Sequence, residues 1–270
     1  MFAWTLTKWL LFFLLCLFAT SPACGVESYT RGKEYYKKGF YDLAQAEFEK
    51  DLRVNPKSAR SHFYLGILQF SQNHVASAIE HFQQAVALDY YLPGGHYASG
   101  ICFKKIGDLA RAEAAFRKAV KTEPLEAKNY FNWGVCLTRL RRYDEAIYAF
   151  KHAISLDRDN TYSYYNLADL YRLTNNYAEA IVHYDVVIRK KPEFSRARFG
   201  KGLALYSLGR TEEALLEFLK AAELSPDDPK VYGFVAASYA KLGRQDKAKE
   251  YQEYYTELTQ SALSRRPDQI

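Results

Sequence analysis

Residues 127–160 read AKNYFNWGVCLTRLRRYDEAIYAFKHAISLDRDN, and they contain two amphipathic patterns separated by a short turn. In the first pattern Tyr130, Trp133 and Leu137 recur at spacings of three and four residues, which places them on one face of a helix. The second pattern shows the same periodicity around Phe150. Two helices with one apolar face each cannot bury both faces in a single hairpin, so the segment requires neighbours of the same kind.

The rest of the chain supplies these neighbours at a period of 34 residues. The contiguous units are residues 25–58, 59–92, 93–126, 127–160, 161–194, 195–228 and 229–262. A small residue stands at the eighth position of each: Gly32, Gly66, Gly100, Gly134, Ala168, Gly202 and Ala236. An aromatic residue stands at the twenty-fourth position of the first six: Phe48, Phe82, Phe116, Phe150, Tyr184 and Phe218. Small residues let helices approach closely, and the aromatic side chain fills the space beside them.

This pattern resembles the tetratricopeptide repeat, and the resemblance covers residues 25–262. It implies an all-α fold, a right-handed superhelical solenoid of seven tandem helix-turn-helix units. The last unit has Gln252 in place of the aromatic residue, which is typical of a polar cap, and residues 263–270 are predicted to be a frayed tail. At the turn between the two helices six units have Gly or Asn, whereas Arg141 predicts mild backbone strain or a different turn.

Residues 1–23 are predicted to be a signal peptide. Residues 9–18 are an unbroken apolar run, and Ser21 and Ala23 are small residues at the positions that a signal peptidase inspects. The run is shorter than the roughly 20 residues that a membrane-spanning helix needs. We therefore expect an exported protein, located in the periplasm or anchored on the envelope side of a membrane.

Two alternatives at the N-terminus stay open. Residues 2–22 are long enough for an uncleaved anchor if Lys8 reaches the interface. Cys24 stands where cleavage would leave it as an acylated N-terminus, although Ser21 and Pro22 depart from the pattern that lipoprotein signals prefer. In either case the membrane is contacted only through the N-terminus.

The sequence shows no pattern typical of a catalytic or metal site, so we predict no enzyme activity and no cofactor. His62 and His96 occupy the same position in neighbouring units, too far apart to share one metal ion. Cys102 and Cys136 also occupy equivalent positions, and the distance between stacked helices favours buried thiols over a disulfide.

In the family that the chain resembles, the second, fifth, ninth, twelfth and thirteenth positions line a concave groove. Carried over to this sequence, the fifth position supplies an aromatic row that includes Tyr97, Phe131, Tyr165 and Phe199. Eleven residues at the groove positions are basic: Lys33, Lys37, Arg60, Lys104, Lys105, Lys128, Arg139, Arg172, Arg196, Lys230 and Lys241. The only acidic residue there is Asp169, so the basic charge of the chain, +6 overall, is concentrated in the groove.

The predicted function is a non-enzymatic scaffold of the cell envelope that binds a protein segment with acidic residues. Lys105, Arg139 and Arg172 are predicted to form one wall of the groove. Asn132 and Asn166 share the sixth position, where the resemblance implies contacts with the backbone of an extended peptide.

Three other interpretations of the groove were considered. An acidic polysaccharide, bound during polymer export, is the alternative ligand, because sugars stack on aromatic rings and their carboxylates pair with Arg. Nucleic acid would suit the charge, but export argues against it. The plain structural interpretation is that cations in the last turn of a helix are favoured by the helix dipole and are only solvated.

Overall fold

The computed structural model describes residues 22–264, and every regular element in that range is an α-helix. The helices are α1 (Pro22–Lys37), α2 (Tyr41–Val54), α3 (Ala59–Ser71), α4 (Val75–Leu88), α5 (Gly95–Lys105), α6 (Leu109–Thr122), α7 (Ala127–Arg139), α8 (Tyr143–Leu156), α9 (Thr161–Leu173), α10 (Tyr177–Lys190), α11 (Ser195–Ser207), α12 (Thr211–Leu224), α13 (Pro229–Lys241) and α14 (Gln245–Ser264). They pack in successive pairs. The prediction of an all-α repeat fold is confirmed.

The chain forms two compact units, residues 1–129 and residues 130–270, and the division falls inside α7. In both units the first helix of a repeat approaches the second most closely at a glycine. A Cβ atom added to Gly100 would lie 2.7 Å from Cε1 of Phe116, and one added to Gly202 would lie 2.5 Å from Cε1 of Phe218. Both phenylalanines are fully buried. The small residue and the aromatic residue that define the sequence pattern are therefore one direct packing contact.

The turn from first to second helix has the same left-handed backbone in each repeat. The residue there is glycine in four repeats and has φ 66° at Asn73, 62° at Asn175 and 59° at Arg141. A left-handed conformation costs a residue with a Cβ atom about 1–2 kcal/mol. The strain predicted at Arg141 is confirmed, and the turn type is unchanged.

Three helices differ in length from their counterparts: α1 is longer than the other first helices, α5 is shorter, and α14 is longer than the other second helices. Helix α5 begins at Gly95 because Gly94 is left-handed, with φ 75°, and its N–H group donates a hydrogen bond of 2.9 Å to Oε1 of Glu123. Helix α14 continues to Ser264, past the predicted end of the last repeat at residue 262.

Most of the predicted signal peptide, residues 1–21, lies outside the described residues, as does the end of the predicted tail, residues 265–270. The side chain of Cys24 is also outside them, so both predictions for the N-terminus stand as predictions. Between residues 22 and 264, none of the helices combines the length and the apolar character needed to cross a membrane.

Candidate partner-binding face

The candidate site is the face made by the second, fifth, ninth, twelfth and thirteenth positions of the first helices, called here the first-helix face. In the first unit it belongs to α1, α3, α5 and the start of α7. In the second unit it belongs to the rest of α7 and to α9, α11 and α13. The predicted site residues are divided between the units: Tyr97, Lys105 and Lys128 lie in the first, and Phe131, Asn132, Arg139, Tyr165, Asn166, Arg172, Arg196 and Phe199 lie in the second.

The aromatic side chains at the fifth position are half-buried, and each packs on the buried aromatic of its own repeat. The ring centroids of Tyr97 and Phe116 are 5.8 Å apart, and those of Phe131 and Phe150 are 5.9 Å apart. Phe199 packs on Phe218 in the same way, at 5.6 Å. One side of each ring therefore stabilises the core. Only the remaining surface of these rings is available to a partner.

In the first unit, the predicted site residues Lys105 and Lys128 lie over aromatic rings. The ammonium group of Lys105 is 4.7 Å from the centroid of Phe70, and that of Lys128 is 5.4 Å from the centroid of Tyr97. Lys128 also forms an ion pair of 3.2 Å with Glu126. Both lysines are exposed. Rings hold the charged groups against the protein surface by cation–π attraction, worth about 0.5–1 kcal/mol at exposed sites.

The first unit also contains aromatic residues of this face that the sequence analysis missed. Tyr36 stands at the twelfth position of its repeat and Tyr64 at the sixth, and their ring centroids are 5.2 Å apart. Burial raises the pKa of both hydroxyl groups. Tyr64 stacks on buried Phe48 at 5.0 Å. The signal was present in the sequence, but aromatic residues had been sought only at the fifth position.

In the second unit Arg139 and Arg196 are exposed on the face, whereas the two asparagines are differently placed. Asn132 is only 6 % exposed. The amide of Asn166 donates a hydrogen bond of 2.7 Å to the carbonyl of Tyr162, one turn earlier in its own helix. Burial leaves little of the Asn132 amide accessible to a peptide, whereas Asn166 is half-buried and uses one N–H group within its own helix.

Asp169, the acidic residue of the face, is the centre of a hydrogen-bonded cluster. The hydroxyl of Tyr184 donates to Oδ1 of Asp169 at 2.6 Å, and Nη2 of Arg172 donates to the same oxygen at 3.1 Å. Burial, followed by the charge of Asp169, raises the pKa of Tyr184 and that of Tyr165. A Cβ atom on Gly200 would lie 2.5 Å from the Tyr184 hydroxyl, so only glycine leaves room for it there.

Because it belongs to this cluster, Arg172 has a different environment from Arg139 and Arg196. Its side chain is 27 % exposed and is paired, while Arg139 and Arg196 are exposed. An acid at position 172 would stand beside Asp169 and leave a buried tyrosine hydroxyl between two carboxylates. We therefore expect charge reversal to spare the fold at Lys105 and Arg139 but to disturb it at Arg172.

Comparison with known families identifies the repeat. The sequence pattern of the tetratricopeptide repeat matches residues 29–93, 97–163 and 165–229, and a second pattern of the same description matches residues 229–261. The chain belongs to the tetratricopeptide repeat family. No curated protein sequence is significantly similar to it.

Solved structures of tetratricopeptide repeat proteins share the fold of this chain. The crystal structure of YrrB, described as a TPR protein with an unusual peptide-binding site, is 20 % identical with a TM-score of 0.65, and the match covers 68 % of this chain and 95 % of YrrB. The crystal structure of MamA is 21 % identical with a TM-score of 0.59, covering 61 % of this chain and 96 % of MamA. MamA from Desulfovibrio magneticus RS-1 is 19 % identical with a TM-score of 0.60, covering 62 % and 94 %.

The tetratricopeptide core holds its cysteines as buried thiols. Cys102 and Cys136 are buried thiols outside any disulfide, as predicted, and burial raises the pKa of Cys102 to about 11. A thiol with a raised pKa is a poor nucleophile at neutral pH. Within the described part of the chain, no three histidine, cysteine or acidic side chains come together in a way that could hold a metal ion.

Proposed function

We propose that this tetratricopeptide repeat protein is a non-enzymatic scaffold that binds an acidic segment of a partner protein on its first-helix face. The observation that carries the proposal is the charge of that face, where eleven positions are basic and the one acid, Asp169, is already paired with Arg172. Lys105 and Arg139 are exposed, and Lys105 lies over the half-buried ring of Phe70. An acidic segment with apolar side chains would match both features.

The energetics favour several weak contacts over one anchor. A hydrogen bond to a charged group contributes about 1.5–3 kcal/mol when it is shielded from water, and an exposed ion pair contributes about 1 kcal/mol or less. Lys105, Arg139 and Arg196 are exposed, so each of their contacts should contribute about 1 kcal/mol or less. The face would then bind through the sum of charge pairs and ring contacts, and the affinity would fall as salt rises.

Charge reversal at Lys105 and Arg139 together tests this proposal. We expect the Lys105→Glu/Arg139→Glu variant to lose more than tenfold in affinity for a partner captured from envelope extract, because two attractive contacts become repulsive. The salt dependence of binding should also be much reduced. Affinities would be measured by titration calorimetry, with circular dichroism to show that the fold is retained.

The matched control reverses Lys118 and Arg189, which are exposed on the second helices α6 and α10. This pair makes the same change of net charge, with one residue in each unit. It should alter the affinity by less than about twofold, as surface charges away from the contact do. Equal losses in the two variants would mean that total charge, not the first-helix face, determines binding. Retention of an acidic polysaccharide by the same protein would favour the alternative ligand.

We also propose that the chain acts outside the cytoplasm, in the assembly of a complex of the cell envelope. The support is the apolar run at residues 9–18 followed by the small residues Ser21 and Ala23. The intact mass of the native protein tests this proposal. We expect a mass that lacks residues 1–23, and an added diacyl group would identify Cys24 as a lipid anchor. A mass that retains residues 1–23 would rule out cleavage.

A further inference from the structure

Two histidines meet inside the second repeat of the first unit. The Nδ1 atoms of His62 on α3 and His81 on α4 are 3.1 Å apart, with ring centroids at 5.4 Å. Both side chains are half-buried. The sequence analysis had compared His62 with His96, at the equivalent position of the next repeat, and therefore did not find this partner.

We propose that the His62–His81 pair is a proton-sensitive contact, which joins α3 to α4 while it holds at most one extra proton and breaks when both rings are protonated. The pair is next in sequence to an aromatic contact that includes Phe63, a residue of the first-helix face. Phe63 and Phe82 follow the two histidines in the sequence, and their ring centroids are 5.7 Å apart. Loosening the pair would therefore disturb an aromatic residue of the face.

The number of protons on the two rings determines whether the contact holds: it survives one extra proton and breaks with a second. When both rings are neutral, Nδ1–H of one donates to the unprotonated Nδ1 of the other. A first extra proton can be taken up at Nε2 of the donor ring, and the hydrogen bond then becomes charge-assisted. A second extra proton must go to the acceptor Nδ1. Two N–H groups of like charge would then face each other at 3.1 Å, and the hydrogen bond is lost.

The surroundings of His81 favour its neutral form. Burial is the main cause of a lowered pKa for His81, and the neighbouring His62 lowers it further. Glu80 on α4 and Glu49 on α2 oppose this effect, but the net direction is downward. His81 is therefore the ring that takes up the second proton. Because the unfolded chain binds this proton more readily, the contribution of His81 to stability is present above about pH 6.5 and is lost as the pH falls through its lowered pKa.

Amide hydrogen exchange at pH 7.5 and pH 5.0 tests the proposal in the full chain. After correction for the intrinsic pH dependence of exchange, we expect exchange in α3 and α4 to be faster at the lower pH, because the contact between the two helices is then lost. In His81→Gln, which cannot titrate, this acceleration should largely disappear. His62→Gln leaves His81 able to titrate but removes the like charge beside it, so its acceleration should be smaller than that of the unaltered protein. The proposal therefore does not depend on one variant folding well.

His74→Gln is the matched control, because His74 is an exposed histidine of the same repeat, hydrogen-bonded only to Gln69 among the described contacts. It should keep the full acceleration. His96 is 3 % exposed and burial also lowers its pKa, so its effect on acid stability persists in all three variants. Differences in the acid-induced acceleration among the variants therefore report on the His62–His81 pair.

A titration of the histidine ring protons by NMR gives a second readout in the unaltered protein. Coupled rings should titrate in two steps separated by more than about one pH unit. Independent titration of His62 and His81, both near pH 6.5, would overturn the proposal. So would an acid-induced acceleration in α3 and α4 that is unchanged in His81→Gln and His62→Gln.

Discussion

Replacing Phe116 by Ala should lower the free energy of unfolding of the first unit by about 3–5 kcal/mol, the usual cost of emptying a fully buried phenylalanine site. Phe116 has no exposed surface and fills the space between Gly100 on α5 and its own helix α6. It also supports Tyr97 of the first-helix face at 5.8 Å. Urea unfolding monitored by circular dichroism would measure the loss.

Gly100→Ala provides the complementary change. Its added methyl group would lie 2.7–2.8 Å from three atoms of the Phe116 ring, so the two helices must separate, at a cost of about 1–3 kcal/mol. In the Phe116→Ala background the methyl group has room, so Gly100→Ala should no longer destabilise the protein. The double variant should then be more stable than the sum of the two single changes predicts. Gly233→Ala is the control, since its methyl group would meet only Tyr255, at an ordinary 3.4 Å. If Gly100→Ala is neutral in both backgrounds, the close approach does not limit the packing.

The repeat could be predicted from the sequence because its main contact joins a very small residue to a large aromatic one. Gly100 and Phe116 are sixteen residues apart. The same glycine–phenylalanine pair, at the same spacing, occurs in the first four repeats and in the sixth. Close packing forces the small residue at one position once the large residue occupies the other. The left-handed turn at Arg141 could likewise be predicted, because its position in the repeat is held by Gly or Asn elsewhere.

The details of the candidate site could not be predicted in the same way. Tyr184 was recognised only as another aromatic residue, yet its hydroxyl donates to Asp169 and fixes the one acid of the face. That contact depends on side-chain rotamers and on the space left by Gly200, which the period does not reveal. The His62–His81 pair was missed because it joins the two helices of one repeat, not equivalent positions of two repeats.

Removing the last repeat should expose an apolar face of the second unit. Val231 and Val235 of α13 are almost fully buried in one cluster with Leu215 and Phe218 of α12, and the ring of Phe234 lies 5.4 Å from that of Phe218. Deletion of residues 229–270 removes Val231, Phe234 and Val235 and would bring the side chains of Leu215 and Phe218 into water. Because each repeat of a solenoid closes the core of its neighbour, we expect aggregation, or a fall in melting temperature of roughly 5 °C or more. Analytical ultracentrifugation and thermal melting would measure the two outcomes.

A polar substitution at Leu215 separates exposure of this face from general damage. In the full chain Leu215 is 5 % exposed, and Leu215→Gln should destabilise the protein because it buries an amide without an arranged partner. In the chain that ends at residue 228 the same position faces water, so Leu215→Gln should reduce association. Leu215→Gln is therefore unfavourable when α13 is present and favourable when α13 is absent. A chain that lacks only residues 265–270 should melt like the full-length protein, since α14 ends at Ser264. If the chain ending at residue 228 is monomeric and as stable as the full chain, the last repeat does not act as a cap.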